Sequence, residues 1–320
     1  MKEIGGFLEF EMNTGHEFHE DCIALNSGRN CLRYLIRVRN ISKIWLPKLL
    51  CSAISDTCKE ENVEICYYSI DEYLKPVLSG VPENEWLYLI NYYGQYTDNE
   101  IIAYAERYKN IIVDNAQAFY NKPVSNLDTL YTCRKFFGVP DGGYLYTVCK
   151  NSFDLQVDES YDRIQFLAGR FEKSANEFYA AYRKNEEAID TLPLKVMSRM
   201  TKNLLCGVNY EDAAKKRENN FGFLHQHLKN VNRLDNIIIP KGPYMYPFLV
   251  RKGSELRAYL QKEKIYIPLL WPNVKRALCS EDIEYQLADN ILPLPCDQRY
   301  FSGDMMYMLE KIKRMEGLWV

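Results

Sequence analysis

The sequence predicts an α/β protein with a mostly parallel central sheet, helices on both faces and a small α+β domain towards the C-terminus. Across residues 22–148, apolar segments of strand length alternate with amphipathic segments of helical length. Strands separated by helices of about ten to fifteen residues are typical of βαβ units, whose sheets are largely parallel and buried. The chain has 320 residues, which is enough for a large domain and a smaller one.

The N-terminal half supplies most of this pattern. After an irregular or short helical lead-in over 1–20, the stretch 22–39 predicts a strand, a tight turn at Asn26-Ser27-Gly28 and an amphipathic helix. We expect Asp98 to cap the helix over 98–109, because its carboxylate can accept from the free first-turn amides. The other elements predicted here are strands over 42–47, 63–71, 85–94, 110–117, 128–132 and 143–148, and a helix over 51–62.

The C-terminal half predicts a second, smaller unit. Residues 154–210 predict long polar helices, and a helix over 211–230 carries an apolar stripe of Phe221, Leu224 and Leu228. Beyond it the sequence predicts strands near 245–250 and 264–268 and a terminal helix over 303–315. We therefore predict a large α/β domain over 1–210 and a small α+β domain over 211–320.

Charge and composition argue against several classes of protein. The net charge of −3 gives no general attraction to nucleic acid or anionic membranes, so neither is expected as a partner. No apolar run reaches the roughly 18 residues of a membrane span, and no basic stretch followed by an apolar one suggests a secretory signal. The ten cysteines form no CxxC pair and no metal-spaced cluster with the four histidines. We expect free thiols, no metal site and a cytoplasmic location.

The most informative pattern is an acid, an amide and a lysine in a fixed order. Asp114 follows the apolar run of 111–113 within the strand predicted over 110–117, and Gln117 comes three residues later. Lys135 comes about twenty residues on, in an aromatic and glycine-rich setting. A pyridoxal phosphate (PLP) site needs these groups: the lysine forms the Schiff base, the acid pairs with the pyridinium nitrogen, and the amide holds the phenolic oxygen. Ligands of parallel sheets bind where such strands end.

Each of these residues also has a simpler interpretation when it is taken alone. Lys135 could equally be a surface lysine in a turn, and Asp114 alone is better explained as an Asx turn or helix cap after a strand. Their order along the chain is what favours the cofactor site.

A phosphate-binding turn is predicted at the start of the first helix. Ser27, Gly28 and Arg29 precede a helix whose N-terminal amides and dipole favour an anion, and Thr132 could add a hydroxyl. Tyr93 closes a strand and could line the pocket. A plain capped turn and an aromatic core residue are the simpler alternatives.

The order of these motifs resembles the DegT/DnrJ/StrS family of PLP-dependent aminotransferases. The resemblance spans about residues 20–150 and is carried by the segments LNSGRN, IWLPKL, YYSID, NYYGQ, VDNAQA and RKFFGVPDGG. It implies the fold type I architecture of aspartate aminotransferase and a homodimer with shared active sites. It also implies an internal aldimine on Lys135, with Asp114 and Gln117 on the cofactor ring and the Ser27 turn on its phosphate.

The sequence departs from the family pattern at several positions. Arg29 replaces a hydroxyl residue, Leu130 replaces a serine before the lysine, and Cys51 falls near the place of the aromatic that stacks on the ring. The Gly-Tyr-Asn-x-Arg segment supplied across the family's dimer interface is not recognisable, residues 194–201 being the nearest candidate.

The function predicted is that of an aminotransferase with a small-molecule amino donor and a keto acceptor. The resemblance implies a keto sugar or related precursor, in nucleotide-sugar chemistry for surface polysaccharide synthesis. Two alternatives remain: a decarboxylase, lyase or racemase on the same scaffold, or a non-catalytic descendant that binds PLP or a sugar nucleotide. Lys135 argues against the family's dehydratase branch, where histidine replaces the lysine.

Overall fold

The central feature of the computed structural model is one large sheet. Within the residues described, 4–150 and 153–318, eight strands form this sheet in the order β1-β8-β7-β6-β5-β2-β3-β4. The strands are β1 (Ile23–Leu25), β2 (Lys43–Pro47), β3 (Glu64–Ile70), β4 (Pro76–Val77), β5 (Trp86–Ile90), β6 (Ile111–Asp114), β7 (Asp128–Thr132) and β8 (Gly143–Tyr146).

The middle of the sheet is parallel, as the sequence predicts. Strands β3, β2, β5, β6 and β7 are parallel neighbours, whereas β8 is antiparallel to both β7 and β1, and β4 is antiparallel to β3. The reversal at β8 follows from chain length, because the connection spans only 133–142 and a parallel return needs about a dozen residues or more. This connection carries Lys135.

Three helices connect the first strands: α1 (Gly28–Arg39), α2 (Ser52–Glu60) and α3 (Asp98–Arg107). Ser27 caps α1 by accepting from the amide of Asn30. The expected capping role of Asp98 is wrong, because Thr97 caps α3. Thr97 accepts from the amide of Glu100, whose carboxylate accepts from the Thr97 amide in return, so this reciprocal box satisfies two free donors at once.

The long polar helices predicted over 154–210 are wrong in length. The region contains a 3-10 turn (Tyr161–Arg163) and three short helices, α4 (Gln165–Glu172), α5 (Tyr179–Thr191) and α6 (Arg199–Cys206). Helices α4 and α5 fold back on each other at Gly169, where a Cβ atom would lie 2.1 Å from the ring of Phe178. Helix α5 stops before Pro193, as expected where proline disfavours a helical predecessor.

The C-terminal half adds a two-stranded sheet with its own core. Its elements are α7 (Tyr210–Leu228), β9 (Met245–Leu249), α8 (Gly253–Lys262), α9 (Pro272–Ala277), α10 (Ile283–Asn290), β10 (Ile291–Pro295) and α11 (Ser302–Lys313). The predicted stripe of α7, which is Phe221, Leu224 and Leu228, is buried in this second core. The domain boundary at residue 210 stays a prediction.

The strand predicted at 264–268 is wrong. That segment leaves α8 through Lys264, whose φ is 60°, and it ends at Pro268 as a connection without strand pairing. Tyr266 is about half exposed there. Strand β9 pairs instead with β10, which follows α10.

The chain before β1 is irregular from residue 4 onwards, as expected, and the first three residues lie outside the described ranges. His19 fastens this lead-in to the sheet, since its Nε2 lies 2.8 Å from the carbonyl oxygen of Phe119. Burial lowers the pKa of His19 to about 3, so the contact is made by the neutral ring. The lead-in is thereby fixed close to the segment that follows Asp114.

Two findings concern all of the described residues together. In the ranges given above, no helix combines the length and the apolarity that a membrane crossing requires. All ten cysteines lie within those ranges, and each is a free thiol.

Candidate active site

The predicted acid lies at the carboxyl edge of the parallel strands. Asp114 is the last residue of β6, a strand that is buried along its whole length between β5 and β7. The ends of these strands face the connections that carry Tyr93, Gln117 and Lys135. The edge that the sequence predicts for ligand binding therefore does bring these segments together.

The carboxylate of Asp114 is buried and held on both sides. Its Oδ2 atom accepts from the hydroxyl of Tyr88 at 2.9 Å, and its Oδ1 atom accepts from the amide of Ala116 at 2.8 Å. Only 6% of the residue is exposed. Burial raises the pKa of Asp114, and three influences oppose this: first the charge of Lys135, then the two hydrogen bonds.

Lys135 lies in the connection between β7 and β8 with its side chain exposed. Its Nζ atom is 5.8 Å from the ring centroid of Tyr244, a residue just before β9. Because the ammonium group lowers the pKa of Asp114, the two side chains interact electrostatically across the same strand edge.

Gln117 and Tyr93 form a second buried pair beside the acid. The Oε1 atom of Gln117 accepts from the backbone amide of Tyr93 at 2.8 Å, so the NH2 group is the end available to a ligand. Tyr93 has a φ of 55°, in the left-handed region that non-glycine residues rarely adopt. Its hydroxyl is buried without a hydrogen-bond partner. An unpaired buried hydroxyl in a strained residue is typical of a functional position.

The predicted phosphate turn is enclosed by two strand ends. A Cβ atom on Gly143 would lie 2.7 to 2.9 Å from backbone atoms of Ser27 and Gly28, so β8 packs directly against the turn. A Cβ atom on Gly28 would lie 3.5 Å from the Cβ atom of Thr132. The start of α1, the end of β7 and the start of β8 therefore form one cradle at a helix N-terminus, which favours an anion.

Arg29 is placed differently from the rest of this turn. Its guanidinium donates to the carbonyl oxygen of Asp190 at 2.5 Å and to the Oδ1 atom at 2.7 Å, which ties α1 to α5. The structure does not bring this group into the cradle, although the Arg29 backbone lies in the first turn of α1. A contact between Arg29 and a cofactor stays a prediction. Cys51 is exposed at the start of α2.

Sequence analysis missed three residues around this edge. Tyr88 comes from the middle of β5, and Tyr244 comes from the C-terminal half. The ring of Trp271, which precedes α9, lies edge-on to Tyr92 and Tyr93 at 5.8 and 6.2 Å. No local pattern marks these residues, because strand register and the packing of the two halves bring them to the site.

Cavity shape and side-chain chemistry indicate different places. A cavity of about 520 Å3 lies between the lead-in segment and the start of β1, with Glu17, Tyr144 and Lys202 in its wall. None of the predicted site residues lines it. We assign the candidate site by chemistry, since a buried acid, a nearby lysine and a helix N-terminus converge at the strand edge and not at the cavity.

No protein-family profile and no curated protein matches the chain. Solved structures do match it over most of its length. DesV of S. venezuelae, in complex with a ketimine intermediate, is 15% identical with a TM-score of 0.66, over 92% of this chain and 84% of DesV. A DegT DnrJ EryC1 StrS aminotransferase from Brucella abortus is 16% identical with a TM-score of 0.61, over 93% and 86%. The putative sugar aminotransferase Spr1654 from Streptococcus pneumoniae, in its PLP form, is 12% identical with a TM-score of 0.63, over 93% and 88%.

These matches define the class of fold. The chain has the α/β fold of PLP-dependent aminotransferases, so the fold predicted from the sequence is confirmed. Two of the proteins it is similar to, Spr1654 and CalS13 from Micromonospora echinospora, are named as sugar aminotransferases, the first as a putative one. At such low identity the likeness concerns the fold, and the roles of individual residues rest on the geometry described above.

Proposed function

We propose that this protein is a PLP-dependent aminotransferase that holds its cofactor covalently on Lys135. The observation that carries the proposal is the placement of the buried Asp114 carboxyl and of the connection with Lys135 at the same carboxyl edge of the sheet, where the charge of Lys135 lowers the pKa of that carboxyl. The fold supports it, because in open α/β sheets this edge is where ligands bind.

The donor and acceptor groups at this edge fit PLP. Asp114 would hold the protonated pyridine nitrogen, and the free NH2 group of Gln117 would hold the phenolic oxygen. The cradle of Ser27, Gly28 and Thr132 would take the phosphate at the N-terminus of α1. When bound, PLP supplies the electron sink for negative charge that develops at the substrate's Cα.

The protein's own residues would do two further things. Tyr88 and the amide of Ala116 fix the direction of the Asp114 carboxylate, so its charge is oriented before a cation arrives. Once the incoming amino donor has displaced Lys135 from the cofactor, the freed Nζ atom would take and return the proton at the substrate's Cα as general base and acid.

We also propose the substrate class and the setting. The acceptor is a keto sugar or related precursor for surface glycan synthesis, and the donor is a small-molecule amino donor such as glutamate. The enzyme works as a cytoplasmic homodimer with shared active sites. The names of the similar structures support a sugar acceptor. The net charge of −3 gives no reason to expect a nucleic-acid or membrane partner.

The proposal is tested by half-reactions followed in the absorbance spectrum. The PLP-loaded protein is mixed with glutamate, glutamine and other amino donors. We expect at least one donor to convert the cofactor to its pyridoxamine form, and a nucleotide-linked keto sugar to reverse the change. A protein that binds PLP but gives no pyridoxamine with any donor is not an aminotransferase, and assays for decarboxylation, elimination and racemisation would then follow.

Lys135→Ala should abolish the half-reaction, and Lys109→Ala is its matched control. Lys109 lies just before β6, the strand that ends at Asp114, and therefore at the opposite edge of the sheet. There it pairs with Glu83 at 3.7 Å on the surface. An exposed pair of this kind contributes little to stability. Equal activity in the two variants would rule out the role of Lys135.

A further inference from the structure

The structure contains a fully buried arginine that binds the backbone on the C-terminal side of Lys135. Arg217 is only 1% exposed and lies in α7. Its Nη2 atom donates at 2.9 Å to the carbonyl oxygen of Phe136, the residue directly after Lys135. The guanidinium also lies over the Phe136 ring, 4.7 Å from its centroid.

The same guanidinium holds the segment that contacts the Lys135 ammonium. Its Nη1 atom donates to the carbonyl oxygens of Pro243 and Tyr244, at 2.8 and 3.3 Å. The Tyr244 ring is the one 5.8 Å from the Nζ atom of Lys135. Arg217 therefore bonds both the backbone next to the lysine and the backbone of its aromatic neighbour, although they belong to different halves of the chain.

Gln298 completes a closed set of bonds. Its Oε1 atom accepts from the Nε atom of Arg217 at 2.6 Å, and its Nε2 atom donates to the same Phe136 carbonyl oxygen at 2.9 Å. The Phe136 carbonyl thus receives two donors from two segments, α7 and the loop after β10.

Among the residues that the structure describes, no carboxylate forms an ion pair with Arg217. The largest influence that raises the pKa of Arg217 is the charge of Asp297, but that carboxylate accepts from Arg299 at 2.7 and 2.8 Å. Burial lowers the pKa of Arg217, and its hydrogen bonds go to neutral oxygens. Burying a cation that bonds only neutral oxygens is energetically unfavourable. We therefore expect Arg217 to act through the geometry that its planar guanidinium fixes.

We propose that Arg217, together with Gln298, is a positioning residue for Lys135, and that the pair fixes the lysine against Tyr244 so that it can capture and release the cofactor. This inference rests on the proposed function. A displacement of about 1 Å at a reacting group can cost on the order of a hundredfold in rate. We call the bonds of Arg217 and Gln298 to the Phe136 carbonyl the fork. Loss of the fork should therefore slow the chemistry at Lys135 more than it weakens cofactor binding.

The test compares Arg217→Lys and Gln298→Leu with the control Arg39→Lys. The control also loses a two-bond guanidinium fork, onto Asp128 at the opposite edge of the sheet. The rate of covalent PLP capture is measured by absorbance at saturating PLP, below the melting temperature of every variant. Hydrogen exchange of the peptide containing 133–138 is measured in the unloaded protein.

We expect covalent capture to slow about tenfold or more in Arg217→Lys and in Gln298→Leu, while the PLP concentration that half-saturates the protein stays unchanged. In Arg39→Lys the capture rate should match that of the wild type. Capture within twofold of the wild type in both variants would overturn the inference and leave Arg217 a structural residue. If Arg217→Lys does not fold, Gln298→Leu decides.

If the wild type fails to capture PLP on Lys135, the proposed function falls. Hydrogen exchange then decides: faster exchange at 133–138 only in the two fork variants supports the positioning role, and equal exchange refutes it.

Discussion

The ammonium group of Lys135 lowers the pKa of the Asp114 carboxyl more than either hydrogen bond that this carboxyl accepts. The two residues are 21 positions apart, Asp114 at the end of β6 and Lys135 on the connection between β7 and β8. A cofactor that bridges the amine and the acid would use this placement of an exposed lysine beside a buried carboxyl.

Asp114→Asn should reduce the amino-donor half-reaction by about a hundredfold or more, because a neutral amide cannot hold a protonated pyridine nitrogen by charge. Stopped-flow absorbance of the PLP-loaded variant measures this. Asp128→Asn is the matched control: Asp128 is also a buried strand aspartate, but it pairs with Arg39 at the other edge. A similar loss of rate in both variants would show that the effect is general destabilisation.

The unloaded protein should be less stable at neutral pH because of Asp114. Burial raises the pKa of this carboxyl above its ordinary value of 3.8, so the folded protein binds the proton more tightly than the unfolded chain does. Its stabilising contribution is therefore complete below that ordinary value and is lost as the pH rises through the folded pKa. The change in the free energy of unfolding caused by Asp114→Asn should therefore favour the variant more at pH 7 than at pH 4. The difference between the two pH values should be about 1.4 kcal/mol for each pH unit by which the folded pKa exceeds the ordinary one. Denaturant unfolding at both pH values measures it, and the same change at pH 4 and pH 7 would refute this explanation.

Gly143→Ala should weaken PLP binding at least about tenfold and cost about 1–3 kcal/mol of stability. The new Cβ atom would lie under 3 Å from backbone atoms of Ser27 and Gly28, which cannot yield without moving the start of α1. Equilibrium titration with PLP gives the affinity. Gly138→Ala is the control, since its Cβ atom would meet only the Cδ2 atom of Leu167 at 3.5 Å. Unchanged affinity in Gly143→Ala would mean that the cradle does not hold the phosphate.

Thr97→Ala should destabilise the protein by about 1 kcal/mol, whereas Asp98→Ala should cost only a few tenths. Thermal unfolding of the two variants distinguishes them. The reverse order would restore the cap that the sequence first suggested and contradict the bond of Thr97 with Glu100.

The fold was largely predictable from sequence because its signals are local. Strand-length apolar runs, the Ser27 cap and the helix period of α1 are each contained within a few residues. The errors arose where the outcome depends on distant partners. The segment 264–268 has strand composition, but β9 pairs with β10 instead. In the polar region 154–210 the chain folds back so that Phe178 packs against Gly169, a contact that helix propensity does not reveal.

The candidate site divides in the same way. Asp114, Gln117 and Lys135 could be predicted because strand ends and residue order mark them, while their assigned roles stay predictions. Tyr88 and Arg217 could not be found from the sequence. The first meets Asp114 only through strand register, and the second meets the carbonyl of Phe136 only when the two halves pack.

The most direct measurement of the central claim is chemical trapping on Lys135. The PLP-loaded wild-type protein is reduced with borohydride, digested and mapped by mass spectrometry. We predict one phosphopyridoxyl group, on the peptide that contains Lys135. A label on a different lysine, or no label after saturation with PLP, would contradict the account.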